Sequence, residues 1–182
     1  IEDMAPQNSG TLIDTDTLSV WAKSPANPAS TGYTGKGVKI VVLDTGIDYT
    51  HADLGGPGTK EAFEKAKASD TIPEGTYDPK KFLGGYDLVG DDYNSGKKET
   101  STPHPDNNPL DCGGHGSHVA GTAAGYGVNA DGSTFHGDYS KLTEEQLKDM
   151  KIGPGSAPDA QLIGLRIFGC KGTTAFVPKG LD

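Results

Sequence analysis

Long apolar runs are missing from this chain of 182 residues, and none approaches the roughly 20 residues that a membrane-spanning helix needs. Basic residues are scarce, 16 against 25 acidic ones, and the formal net charge of −9 argues against nucleic acid as a partner. The chain also begins at Ile1, with neither an initiator methionine nor a signal-peptide pattern, which fits a processed, secreted form. We therefore expect a soluble extracellular protein that binds neither nucleic acid nor membranes.

The most hydrophobic short run is Lys39–Leu43, which is mostly β-branched and has glycines on either side. Such a run is typical of a strand that is covered on both faces. Asp44 follows directly and would lie at the carboxyl end of that strand, where ligands and chemistry gather in open α/β sheets. On this segment alone, a turn-forming aspartate is the alternative.

A second informative segment is His115-Gly116-Ser117-His118, which is followed by small residues that favour a compact helix. The dipole of that helix would disfavour a charged imidazole at its first residue. A carboxylate such as Asp44 would reverse this penalty by fixing the tautomer and stabilising the positive charge. A core histidine bonded to a backbone carbonyl is the alternative for His115.

Three motifs in the same order resemble those of subtilisin-like serine proteases. They are Val41-Val42-Leu43-Asp44-Thr45-Gly46-Ile47, His115-Gly116-Ser117-His118-Val119-Ala120-Gly121, and Gly155-Ser156-Ala157-Pro158 leading to Leu162-Ile163-Gly164-Leu165-Arg166-Ile167. The resemblance implies a three-layer αβα fold with a mainly parallel sheet. It also implies that Asp44 is the acid and His115 the general base of a Ser-His-Asp triad that hydrolyses peptide bonds, with His118 as a structural neighbour.

The nucleophile of that triad is missing from the sequence. In the family it lies in a Gly-Thr-Ser stretch, and Ser117, Ser133 and Ser156 occur in other contexts. We therefore interpret residues 1–182 as the N-terminal portion of a peptidase domain that is inactive alone. The remaining C-terminal part would supply the serine, on the same polypeptide or a companion chain, and residues 176–182 resemble the start of the next helix.

The resemblance also implies a disulfide and a substrate-binding edge. The family fold would bring Cys112 and Cys170 together at the rim of the cleft, where some extracellular members carry a disulfide; two buried thiols are the alternative. The segment Gly172-Thr173-Thr174 would pair with a protein or peptide substrate as an added strand. Phe168 would border the pocket for the residue before the cleaved one.

Two insertions separate the motifs, at about residues 55–110 and 126–152. In the first, charges at helical spacing predict a short helix over residues 60–67, and a strand is expected over residues 82–89. The polar stretch from Gly90 to Pro109 predicts a surface loop with solvated acidic residues. In the second, Thr143 and Gln146 predict a capped helix. Such insertions resemble those of large extracellular bacterial subtilases with a protease-associated domain.

No cofactor is required for the implied reaction, but a structural calcium ion is possible at one position. Asp53 matches a family position that ligates calcium, and Asn129 or Asp131 could add oxygen ligands. A carboxylate that only stabilises a turn is the alternative for Asp53.

Two other classes of function compete with the protease. His115 and His118, with Asp111 close by, could bind zinc in a metallohydrolase. However, the chain lacks a His-Glu-x-x-His motif, and Gly-Ser between the histidines supplies no base. The third possibility is a catalytically inactive subtilase-like scaffold used for binding, against which the intact Asp44 and His115 argue.

Overall fold

The computed structural model of the protein describes residues 8–22 and 32–175. The predicted helix start at residues 176–182 lies outside them. The α-helices are α1 (Asn8–Asp14), α2 (Thr17–Trp21), α3 (Lys60–Lys67), α4 (His115–Ala124) and α5 (Glu144–Asp149); the strands are β1 (Lys39–Asp44), β2 (Phe82–Asp87) and β3 (Gln161–Arg166). Short 3-10 helices span Ala52–Leu54, Lys98–Thr100 and Tyr139–Lys141.

The described strands form a parallel sheet in the order β1-β3-β2, as predicted for an α/β fold. The strand predicted from the β-branched run is β1, and Asp44 is its last residue. Asp44, Arg166 and Asp87 end their three strands in register. The carboxyl edge of the sheet therefore carries a row of acid, base and acid.

One face of the sheet packs against α4 and contributes to the main core. The buried members of that core are Val42, Ile47, Tyr49, Leu54, Ala66, Phe82, Leu110, Ala120, Ala124, Ala160 and Leu162. The opposite face exposes apolar side chains, with Val41 53 %, Leu83 41 % and Tyr86 36 % exposed. Within the described residues, the helical layer expected on this second face is absent.

Local capping explains where the elements of the two predicted insertions begin and end. Thr59 caps α3 through the Ala62 N–H, and Thr143 and Gln146 form the predicted capping box of α5. β2 ends two residues earlier than predicted because the Asp87 carboxylate accepts the N–H groups of Val89 and Gly90, which turns the chain.

A second apolar cluster joins the N-terminal helices to the second insertion. Its buried members are Leu12, Trp21, Tyr139, Leu142 and Leu147. Trp21 is fully buried, and its Nε1–H donates to the Ser156 carbonyl at 3.0 Å. The second insertion therefore packs over α1 and α2.

None of the helices in the described part of the chain combines the length and apolarity that a bilayer crossing requires.

Candidate active site

Asp44 and His115 meet at the carboxyl edge of the sheet. Nδ1 of His115 lies 2.9 Å from both carboxylate oxygens of Asp44. Because an ionised carboxylate only accepts hydrogen bonds, Nδ1 carries the proton and Nε2 is left as a base. The Asp44 side chain is 17 % exposed and that of His115 72 %, so the imidazole projects towards solvent from a sheltered carboxylate.

A close approach of α4 to the end of β1 makes this pair possible. A Cβ on Gly116 would lie 2.1 Å from the Gly46 carbonyl oxygen and 3.1 Å from Cβ of Asp44, so only glycine fits there. The Gly116 N–H donates to Oγ1 of Thr45 at 2.8 Å, and the Thr45 N–H donates to Asp44 at 2.6 Å. The glycine after the histidine is therefore required by the close approach of the Gly46 carbonyl, just beyond the end of β1.

The hydrogen bond from His115 to Asp44, together with the negative charge of Asp44, raises the pKa of His115 above its ordinary value. Asp44 thus stabilises the protonated form of the His115 imidazole. This attraction opposes the effect of the helix N-terminus, which disfavours positive charge.

Asp111 organises the first turn of α4, a role that we did not predict. Its carboxylate accepts hydrogen bonds from the N–H groups of Gly113, Gly114 and Ser117 and from the Ser117 hydroxyl, at 2.6–2.9 Å. Burial alone would raise the pKa of Asp111, but the bonds from Ser117, Gly114 and Gly113 outweigh it and hold that pKa below its usual value. The available signal was an aspartate just ahead of a glycine pair and a helix start, which is typical of a capping residue.

The predicted disulfide is present. Cys112 and Cys170 are bonded, with Cα atoms 5.3 Å apart, and the two residues are 58 positions apart in sequence. The bond ties the segment before α4 to the segment after β3, so His115 begins a helix whose entry is covalently fixed.

The predicted substrate-binding residues lie on both sides of Cys170, with Phe168 before it and Gly172–Thr174 after it. Phe168 is half-buried and Gly172 and Thr173 are exposed. The Thr173 carbonyl accepts the Ser95 N–H at 3.0 Å, so the segment lies against the first insertion. No regular strand forms over residues 172–174 of the described chain.

Asp53 is buried, but the residues expected to join it at a calcium site have other partners. Its Oδ1 accepts the Gly127 N–H at 2.8 Å. Burial raises the pKa of Asp53 to about 6, and the Gly127 bond opposes that shift. Asp131 accepts from Ser133, and Asn129 donates to Ser133.

A cation could nevertheless reach Asp53. The residue lines a cavity of about 560 Å³ together with Asn8, Asp48 and His51. A bound cation would stabilise the charged form of a buried carboxylate with a raised pKa, so calcium at Asp53 stays a prediction.

The histidines predicted for a zinc site are not arranged for one. Nδ1 of His115 faces Asp44, and the Asp111 carboxylate is engaged by α4. Within the described ranges, the one trio of metal-type ligand atoms that lie within 4.8 Å of each other is Asp91, Cys112 and Cys170, and its cysteines form the disulfide.

Asp91 departs from the expectation that acidic residues of the 90–109 loop are only solvated. Its side chain is 62 % exposed, yet its Oδ1 lies 2.6 Å from Nη1 of Arg166. A surface-loop carboxylate is thus bonded to the buried end of the central strand.

The chain is thus an α/β protein with a parallel sheet, and the aspartate–histidine pair at the carboxyl edge of that sheet is an arrangement that can perform acid–base chemistry. A sequence profile described as the subtilase family matches residues 35–180. The chain belongs to the subtilase family.

Similar proteins include bacterial proteases. The chain is 34 % identical over 153 residues to the minor extracellular protease Vpr of Bacillus subtilis, covering 83 % of this chain and 13 % of that protein. It is 34 % identical over 123 residues to the thermophilic serine proteinase of Bacillus sp. strain AK1, covering 68 % of this chain and 21 % of that protein.

A solved protease structure from Pseudoalteromonas arctica aligns with 82 % of this chain and 35 % of its own, at a TM-score of 0.42 and 24 % identity. Of the two Bacillus relatives named above, the chain spans about an eighth and about a fifth of the length.

Proposed function

We propose that this chain is the N-terminal part of the catalytic domain of a secreted serine endopeptidase, in which Asp44 and His115 are the acid and the base of a Ser-His-Asp triad. The observation that carries the proposal is the 2.9 Å contact of His115 Nδ1 with Asp44 at the end of β1. Family membership supports the same reaction class.

In the proposed mechanism, Nε2 of His115 takes the proton from a serine hydroxyl as the serine oxygen attacks the scissile carbonyl. The same nitrogen then gives the proton to the leaving amine. Asp44 stays ionised and stabilises the imidazolium while it exists. The exposure of His115 supports this role, because Nε2 must be reachable from the substrate side.

The serine would come from a C-terminal part of the catalytic domain, in the same polypeptide or in a companion chain. The apolar face with Val41, Leu83 and Tyr86 supports such a partner, because an exposed patch of this kind marks an interaction surface. β1 and β2 are the outer strands of the described sheet and could each pair with a further strand.

Secretion and the substrate class belong to the same proposal. A disulfide persists in oxidising compartments, and a relative is named an extracellular protease. The substrates would be proteins or peptides that pair along Gly172–Thr174, with Phe168 beside the pocket preceding the cleaved residue. The bond between Thr173 and Ser95 would hold that segment in place.

A labelling experiment on the complete protein tests the proposal. A fluorophosphonate probe should label the wild type, and Asp44→Asn and His115→Ala should react far more slowly because they weaken or remove the base. His118→Ala is the matched control, since it removes an exposed imidazole one helical turn away and should label normally.

The same set of variants separates the competing functions. A zinc metallohydrolase would lose peptide hydrolysis in His118→Ala and in chelator, and would resist the probe. Absence of both labelling and hydrolysis in the wild type would instead indicate an inactive scaffold and contradict the proposed function.

A further inference from the structure

Arg166 is the single arginine of the chain, against fifteen lysines, and it ends the central strand β3. Its side chain is 3 % exposed. Burying a guanidinium is costly unless the group is paired and hydrogen-bonded, so the contacts of Arg166 show what the structure gains from it.

Two carboxylates neutralise Arg166. Nη1 lies 3.1 Å from Oδ2 of Asp87, whose side chain is 1 % exposed, and 2.6 Å from Oδ1 of Asp91. The backbone of the next residue bonds to the neighbouring strand β1, because the Ile167 N–H donates to the Asp44 carbonyl at 2.9 Å. Arg166 therefore sits between the proposed catalytic acid and the end of β2.

The other guanidinium contacts point at the disulfide and its flanking segments. Nη2 lies 3.0 Å from Sγ of Cys112 and 3.2 Å from Sγ of Cys170. Nη1 donates to the Leu110 carbonyl at 3.2 Å, and Nε donates to the Phe168 carbonyl at 3.0 Å. All three nitrogens of the guanidinium are engaged, and with the two carboxylates the partners come from three segments, 87–91, 110–112 and 168–170.

The contacts of Arg166 connect it to His115, the proposed base, through the segment 110–112. Arg166 contacts residues 110 and 112. Asp111 between them accepts the N–H groups of Gly113 and Gly114, which lead into α4, and the Ser117 N–H in the first turn of α4. His115 is the first residue of that helix. Arg166, the segment 110–112 and the α4 N-terminus thus form one continuous set of bonds.

We propose that Arg166 is a positioning residue, which holds the segment 110–112 on the end of β3 and so fixes the imidazole of His115 against Asp44. The proposal rests on the proposed triad function. It requires arginine specifically, because a planar fork with three nitrogens reaches carboxylates, carbonyls and sulfurs at once, whereas a lysine offers one nitrogen.

Arg166→Lys tests this in the complete protein, because it keeps the positive charge and removes the fork. We expect kcat for peptide hydrolysis to fall about ten- to hundredfold, as for a small displacement of a catalytic group. KM should stay within about twofold, because substrate contacts are untouched. NMR titration of ¹⁵N-labelled histidine should show a lower pKa for His115, since a looser bond to Asp44 stabilises the imidazolium less.

Asp91→Asn is the second variant, and it matters if Arg166→Lys does not fold. It removes one of the two carboxylates that pair with Arg166, the more exposed one, and leaves the pair of Arg166 with Asp87. We expect the same changes in kcat and in the pKa of His115, in the same direction and smaller.

Lys81→Met is the control for destabilisation alone. Lys81 is as buried as Arg166, and its Nζ donates to the carbonyls of Ala124, Pro158 and Ala160. It precedes β2 and contacts the far end of α4, so this variant should unfold more easily with an unchanged pKa of His115.

A folded Arg166→Lys, or Asp91→Asn where that variant alone folds, with the kcat and His115 pKa of the wild type would overturn the positioning role. An equal fall of the His115 pKa in Lys81→Met would also overturn it, because general destabilisation would then explain the effect. Failure of the triad itself is distinguishable, since the wild type would then resist the fluorophosphonate probe whatever the pKa of His115.

Discussion

Removal of the Cys112–Cys170 disulfide is expected to lower the free energy of unfolding by about 4 kcal/mol. The bond joins positions 58 apart in sequence, across a loop that contains α4, α5 and β3. In the chain-entropy description, closing a loop of that length removes about 14 cal/mol/K from the unfolded chain, which is about 4 kcal/mol at 25 °C. Loss of the sulfur contacts to Arg166 should add to this cost.

The measurement is urea denaturation of the complete protein, followed by circular dichroism, for the wild type and for the double variant Cys112→Ala/Cys170→Ala. The double variant leaves no unpaired thiol that could react with another molecule. Wild type with reductant should match the double variant, and the double variant should not respond to reductant.

Two results would refute this reasoning. One is a destabilisation below about 1 kcal/mol, which would mean that the unfolded chain gains little freedom when the loop opens. The other is the detection of two free thiols in protein unfolded without reductant, because the bond would then not exist in solution.

Three further predictions concern the acid, the base and the buried carboxylate. Asp44→Asn should lower kcat by about 10⁴-fold with little change in KM, measured by peptide hydrolysis, and a loss below about tenfold would contradict its role. Asp44 raises the pKa of His115 above 6.5, and the base must be neutral, so kcat/KM should fall as the pH drops through a value above 6.5. Asp44→Asn should move this acidic fall of the pH profile to lower pH. A wild-type profile that falls only at or below pH 6.5 would contradict the prediction. The pKa of Asp53 is about 6 in the folded chain against an ordinary 3.8, so in chelator the free energy of unfolding should fall as the pH rises between these two values, and Asp53→Asn should remove that fall. Added calcium should raise the melting temperature of the wild type and leave that of Asp53→Asn unchanged. An equal rise in Asp53→Asn would show that any bound calcium lies elsewhere.

Local signals in the sequence were sufficient for the elements that carry the candidate site. A β-branched run ending in Asp44 predicts β1, because such residues suit a buried strand. The small residues that follow the His115 motif predict a compact helix, and Gly116 is the position where that helix approaches the end of β1. Thr143 and Gln146 predict the start of α5, because capping depends on residues three positions apart.

Contacts between distant segments could not be predicted in the same way. Asp91 was expected to be solvated because its neighbours are polar, yet it pairs with Arg166, 75 positions later. The bonds of Arg166 to both sulfurs depend on how β3 lies beside the segment before α4. No local pattern encodes that arrangement, since it arises only when the strands are in register.

The buried position of Trp21 gives the chain an optical reporter in a defined place. It is the only tryptophan of the 182 residues, and it packs at 5.7 Å from the Tyr139 ring, between the N-terminal helices and the second insertion. A red shift of its fluorescence would therefore signal that water has reached this one junction. The Asp44–His115 pair lies outside the cluster that encloses Trp21. On heating, the red shift of the Trp21 fluorescence and the loss of the proposed proteolytic activity can therefore occur at different temperatures.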